Sequence, residues 1–567
     1  MCGRAPPKGL LMLVSIILIG VVLFALSYRF YGRWLDRQFG IDPENITPAH
    51  KNYDGVDYVP ARTPVLMGHH FSSIAGAGPI VGPIIAVSFF GWLPAVLWII
   101  LGSILIGGVH DYSALVVSIR NKARSIAQVA KRLMSPTAHK LYLIFIWLAM
   151  VYVLTAFVDL TASSFVADGG VASSSTMYIG LALLLGYLGY RRRLPLGWLS
   201  VVFVPMVFLI VWLGQAIPVG TPAALAHGDP KTTWSAILLG YCFLASITPV
   251  WALLQPRDYL SAFLLVACVL GGLLGIVFGG HSYDAPAFLG FNTSLGMLFP
   301  ALFITIACGA CSGFHSIVAS GTTAKQLSNE RNARTVAYGS MLTEGLLALI
   351  AVSAIVVVGG SLAGKAPPVV FAEGMGRFFG TLGIPSALGT SFGLLALSTF
   401  LLTTLDTGTR LARYILEELF NVWGMTSHVF ATVVTLVLPM WLSLTQFTDA
   451  QGDVVPVWRA IWPVFGATNQ LLGALALLTV SVWLKRTGRR SFFTAIPMIF
   501  MSAVTLLALA QLIIREQFNV IGVIAALLFA LAIVLIVESI RAFGGEIVAD
   551  DVLDEAPTSG FEGGKVC

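Results

Sequence analysis

The stretch His69-His70-Phe71-Ser72-Ser73-Ile74-Ala75-Gly76-Ala77-Gly78-Pro79-Ile80-Val81-Gly82-Pro83 is too apolar for a surface loop and too rich in glycine and proline for an ordinary helix. Pro79 and Pro83 remove amide donors and crowd the preceding turn. Gly76, Gly78 and Gly82 add further breaks. Unwound backbone inside an apolar segment is tolerated where protein or a wet cavity satisfies its polar groups. This stretch therefore predicts a discontinuous membrane helix.

The rest of the chain fits that setting. Of 567 residues, 57% are hydrophobic and 11% are charged, with a mean hydropathy of +0.87. So few charges cannot cover a water-soluble globule of this length, and so many apolar residues exclude disorder. The apolar runs are continuous rather than alternating, which argues against a transmembrane β-barrel. The class is an all-α polytopic membrane protein.

Apolar runs lie at 10–28, 70–90, 92–118, 140–160, 174–190, 196–214, 233–253, 258–279, 296–318, 336–359, 386–409, 427–445, 457–483, 491–514 and 518–540. By length these predict ~15 transmembrane helices. The organisation reads as a first span over 1–29, a cytoplasmic connection over 30–67, a transmembrane core over 68–541 and a disordered acidic cytoplasmic tail over 542–567. The first run lacks a small-residue cleavage site and reads as a retained span rather than a leader.

Basic residues mark every second connection, among them Arg120, Arg191-Arg192-Arg193, Arg257, Lys325, Arg410, Lys485 and Arg541. The intervening connections are nearly free of lysine and arginine. The net charge of +6 is thus the positive-inside bias of a membrane protein and not a nucleic-acid footprint. The alternation puts the C-terminus in the cytoplasm. The six cysteines form no disulfide framework, and Cys308 and Cys311 read as buried small side chains.

A second interruption lies in the ninth run, at Cys308-Gly309-Ala310-Cys311-Ser312-Gly313-Phe314-His315-Ser316. By parity it crosses opposite to the second run. Two interrupted helices in opposite orientation point to an inverted-repeat transporter with its site near the midplane.

Four stretches carry a family resemblance, the first being Gly68-His69-His70-Phe71 with Ile74 to Pro79. The others are Cys308 to Thr323, Leu402-Thr403-Thr404-Leu405-Asp406-Thr407 with Arg410 to Tyr414, and Trp462-Pro463 with Phe465 to Leu472. The chain resembles the carbon starvation protein A family of bacterial inner-membrane transporters. It departs from the family pattern at His110, where glutamine is usual, and at Cys311, where an aliphatic residue is. The resemblance implies a fold of the amino acid–polyamine–cation superfamily, uptake of peptides or pyruvate during carbon starvation, and proton coupling.

Candidate substrate-binding residues cluster at the interruptions: His69, His70, Gly76 and Gly78 at the first, and Ser312, His315 and Ser316 at the second, with Asn469 and Gln470 inside the thirteenth run. Histidine titrates near neutral pH, and freed amides with hydroxyls suit a carboxylate. Asp111, Glu344 and Asp406 are the acidic groups inside or bordering spans, and so candidates to carry a coupling proton. Asp406 and Arg410 stand four apart and are expected to pair. Asp159 and Asp168 read as loop or vestibule groups. No metal set or cofactor is expected, and the coupling ion expected is the proton rather than sodium.

The expected function is secondary active import of a small carboxylate-bearing nutrient, with no enzymatic step. The partners are a small-molecule substrate and the lipid bilayer, with no nucleic acid. Alternatives are a transporter-like nutrient sensor, a peptide-specific importer without pyruvate activity, a channel and an intramembrane enzyme.

Overall fold

The computed structural model describes residues 8–543, apart from 55–57, 134, 221–228, 250, 282–284, 423, 449–453 and 518. Nearly all of the acidic tail, and Cys2 and Cys567, lie outside the described residues.

All fifteen apolar runs fall on helices. Twelve helices among the described residues are long and apolar enough to cross a membrane, and a bent pair raises the number to thirteen. That pair is the second run, Thr63–Ile74 followed by Gly78–Phe90 at an angle of 44°. The remaining two runs fall short for separate reasons. The seventh forms an 18-residue helix, Pro230–Ile247, with a polar first turn. The ninth is divided into Leu298–Thr305, Ala307–Ala310 and Phe314–Gly321. An additional buried helix, Pro367–Thr381, fills the connection between the tenth and eleventh runs. It is too short to register as a span in an apolar count.

The unwound part of the second span is shorter than its composition suggests. Only 75–77 leave the helix. Pro79 lies in the first turn of the second half, where a missing amide is harmless, and Pro83 is accommodated inside that helix. The ninth span breaks at Ile306 and again at 311–313, where Cys311 is extended with φ −166° and ψ 100°.

The two interrupted spans touch. A Cβ on Gly78 would lie 2.0 Å from Cβ of Cys308, so only glycine permits that approach. A Cβ on Gly76 would lie 2.6 Å from Thr404 Oγ1 of the eleventh span, Ser386–Phe420. The thirteenth span, Val457–Arg486, runs behind both and is buried throughout its most apolar stretch.

Two helices reach the centre through widened turns. Ser103–Gly107 precedes Gly108–Arg120 in the third span, and Arg334–Tyr338 precedes Gly339–Val358 in the tenth. Each such turn inserts an extra residue and rotates the face that follows. Asp111 and Glu344 lie just beyond them.

The 30–67 segment folds over one end of the bundle. Its short helix, Tyr31–Phe39, places Asp36 2.7 Å from Arg334 and from the Tyr112 hydroxyl. Arg120 closes the same end by pairing with Glu330 and donating to the Gly40 carbonyl at 2.9 Å.

Candidate functional site

Asn469 holds the second interruption open. Its side-chain oxygen accepts the Phe314 amide at 3.0 Å and the Ser312 hydroxyl at 3.2 Å. Its backbone carbonyl accepts the Gly313 amide at 3.1 Å, and its amide nitrogen reaches Cys308 Sγ at 3.1 Å. An unwound turn buried in protein needs such donors and acceptors. Gln470, the next residue, is fully buried, and neither end of its amide has a hydrogen-bond partner among the described residues.

His315 begins the helix that resumes after this break, and it is fully buried. Its Nδ1 lies 2.9 Å from Oδ2 of Asp111, and its Nε2 lies 3.3 Å from Oε2 of Glu344. One imidazole thus spans two carboxylates from the third and tenth spans, both of them fully buried. His110 Nδ1 adds a contact of 3.0 Å to the other oxygen of Asp111. His70 is adjacent, with Nδ1 2.9 Å from Thr323 Oγ1 and Nε2 unpartnered. Neither oxygen of Glu344 has a hydrogen bond of good alignment. Buried charges in an apolar bundle are expensive unless paired, so a carboxylate–imidazole–carboxylate chain is stable only when it shares protons.

Asp406 belongs to a different constellation. It pairs with Arg257 rather than Arg410, and its Oδ2 accepts the Tyr241 hydroxyl at 2.7 Å. Arg410 instead donates to the carbonyls of Ala245 and Thr248 at 2.7 and 2.6 Å. Helical spacing put Arg410 on the same face, but the C-terminal end of the seventh helix offers it free carbonyls. Arg257 is therefore no loop cation. It is fully buried in the first turns of the eighth helix, Leu254–Phe278, and also donates to Thr399 O and Thr403 Oγ1.

Asp258, next in sequence, takes the opposite direction. Its Oδ2 lies 2.9 Å from Nδ1 of His69. Adjacent residues of opposite charge thus bind the eleventh span on one side and the second on the other. Sequence reasoning missed Arg257, Asp258 and Tyr241. The available signal was an Arg-Asp dipeptide at the mouth of an apolar run, read instead as part of the positive-inside pattern.

The remaining candidates divide. Ser312 lies at the break, within the Asn469 network. Ser316 donates to Gly313 O at 2.7 Å and serves its own helix. Gly76 and Gly78 sit where spans press together. Asp159 is buried rather than in a vestibule: Lys231 lies 2.8 Å away and the Trp458 amide donates at 3.1 Å. Asp168 caps the fifth helix through the Gly170 amide. Cys242, Cys268, Cys308 and Cys311 are buried free thiols.

A cleft of about 310 Å³ opens between the first half of the second span and the fifth, sixth and eighth helices. Its walls include Val65, Leu185, Tyr190, Trp251 and Tyr259, and it reaches His69.

Comparison with known proteins agrees with the motifs. The chain is 33% identical over 553 residues to a peptide transporter CstA of Escherichia coli strain K12, covering 84% of this chain and 77% of that one. It is 30% identical over 585 residues to the pyruvate/proton symporter BtsT of the same strain, covering 87% and 81%. Among solved structures, the Eremococcus coleocola manganese transporter aligns at a TM-score of 0.43 and 14% identity, over 86% of this chain and 99% of that one. The family model described as carbon starvation protein CstA matches residues 12–365 and 359–508. This polytopic membrane protein belongs to the carbon starvation protein CstA family.

Proposed function

We propose that the protein is a proton-coupled secondary transporter, and not an enzyme, that imports a small carboxylate-bearing nutrient, pyruvate or a short peptide, across the bacterial inner membrane. The observation that carries this reading is His315 standing between Asp111 and Glu344, on the helix that resumes at the second break. A proton taken by this chain changes the charge of a buried group beside the unwound backbone. That coupling is what a symporter needs: substrate and proton stabilise the same conformation. Relatives named as peptide transporters and as a pyruvate/proton symporter support the substrate class.

In this reading the substrate carboxylate is held by the freed amides and hydroxyls around 311–316, with Asn469 and Gln470 behind. The touching, interrupted second and ninth spans support an inverted-repeat architecture. Asp406, tied to Arg257, is the less available proton carrier. The basic connections support a cytoplasmic C-terminus. No cofactor takes part beyond the coupling proton.

The test is uptake of labelled pyruvate and labelled dialanine into proteoliposomes, with and without an inward proton gradient. Saturable accumulation that collapses with the gradient is expected. Uptake indifferent to the gradient would overturn the coupling, and failure of both substrates to enter or compete would overturn the substrate class.

A further inference from the structure

The cleft beside His69 does not suit a small hydrophilic substrate. Most of its wall is aliphatic or aromatic, from Val65, Leu185, Leu194, Leu199, Trp251 and Tyr259. It lies at the turn between two candidate membrane spans, Gly169–Arg191 and Leu196–Ala216, and so at the level of one membrane surface. Three consecutive cations, Arg191, Arg192 and Arg193, stand exposed at this turn. Among the described residues they have no carboxylate partner. Arg191 is held over the Trp251 ring at 5.8 Å, and Tyr190 stacks on Trp251 at 5.1 Å. Arg191, with Arg192 and Arg193 in the same turn, thus stands beside an aromatic pair and an apolar recess lined by Tyr190, Leu194 and Trp251.

From this arrangement we infer a binding site for one anionic phospholipid, its phosphodiester held by Arg191, Arg192 and Arg193 and an acyl chain lying in the cleft against Leu185, Leu199 and Trp251. Charge complementarity selects the occupant. Basic pockets between helices at a membrane surface favour anionic headgroups, and Trp and Tyr favour the interfacial depth. A zwitterionic lipid would leave the three guanidinium groups without a net counter-charge. The chain enters by burial of apolar area, which a free anion cannot supply.

The purified full-length protein in nanodiscs tests this. Tryptophan fluorescence is measured with phosphatidylglycerol carrying brominated acyl chains, and with brominated phosphatidylcholine at the same fraction. Phosphatidylglycerol is expected to quench more strongly, and the excess should vanish in Trp251→Phe. Replacing Arg191, Arg192 and Arg193 together by Gln should weaken the anionic preference by roughly tenfold or more. Leu185→Phe, which fills the recess without adding a tryptophan and leaves the three arginines intact, should also abolish the excess. That variant, with Trp251→Phe, stands if the triple Gln variant fails to insert. Equal quenching by the two lipids, or an excess that survives Trp251→Phe, would overturn the site. Displacement of the lipid by glycerol phosphate alone would reduce it to a simple anion site and overturn the acyl-chain part. Displacement by pyruvate or dialanine would make the cleft a substrate vestibule and overturn the proposal.

Discussion

Nδ1 of His69 lies 2.9 Å from Oδ2 of Asp258, and this contact fastens the first half of the interrupted second span to the start of the eighth helix. The partner is nearly inaccessible, and Oδ1 of Asp258 has no other hydrogen bond. Asp258→Ala should therefore destabilise the protein by roughly 3 kcal/mol, because it leaves a buried imidazole without its acceptor. Asp258→Asn keeps an acceptor and should lose less. Thermal unfolding of the two variants in detergent gives the order; an Asn variant as unstable as the Ala variant would contradict it.

Arg257 and Asp406 form a buried pair with Tyr241. Removing Asp406 alone by Asp406→Leu should cost roughly 3–5 kcal/mol, since an unpaired guanidinium remains in the bundle. Adding Arg257→Met should recover much of the loss. Melting temperatures of the single and double variants check this, and strictly additive losses would show that the two groups do not depend on each other.

Gly78 and Cys308 are matched in shape. Gly78→Ala places a methyl group where Cβ of Cys308 already stands and should cost about 1–3 kcal/mol through overpacking. The double variant Gly78→Ala with Cys308→Gly should be more stable than Gly78→Ala alone. No recovery in unfolding experiments would mean that the methyl is accommodated by moving the helices apart.

Glu344→Gln removes a protonatable group from the His315 chain and keeps its size. Gradient-driven accumulation should be lost, while exchange of internal for external substrate continues. His315→Gln should reduce both, because it also disconnects Asp111. The two assays in proteoliposomes separate coupling from binding. An accumulating Glu344→Gln variant would place the coupling proton elsewhere.

Asn469→Ala removes the acceptor for the Phe314 amide and the Ser312 hydroxyl. Each buried group left unsatisfied costs about 1–3 kcal/mol. Protection of the Phe314 amide against hydrogen exchange should fall in this variant more than protection along Gly339–Val358. Equal loss at both places would point to general unfolding instead.

Much of the scaffold was legible because apolar runs report spans one at a time. All fifteen runs fell on helices, and both interruptions were visible where a helix should continue, the first as glycine and proline and the second as glycine and hydroxyl residues. The extra helix Pro367–Thr381 was not visible, since its fifteen residues carry glycine, charge and two prolines. Local spacing also failed at Asp406. Its true partner lies 149 residues away and was hidden among residues that obeyed a topological rule. Asp111, His315 and Glu344 were each singled out, but their meeting could not be read. It depends on two widened turns, Ser103–Gly107 and Arg334–Tyr338, that rotate the helices leading to Asp111 and Glu344.

The thirteenth span is surrounded by protein along its most apolar stretch and carries Thr468, Asn469 and Gln470 at its middle. During synthesis it leaves the insertion machinery before the last two spans exist. Lipid offers nothing to the Asn469 side chain, whereas the second interruption, already made, offers it the Phe314 amide and the Ser312 hydroxyl. Val457–Arg486 is thus a late arrival that must be received by an earlier half-built bundle. The order of manufacture is written into the same asparagine that keeps the ninth helix open.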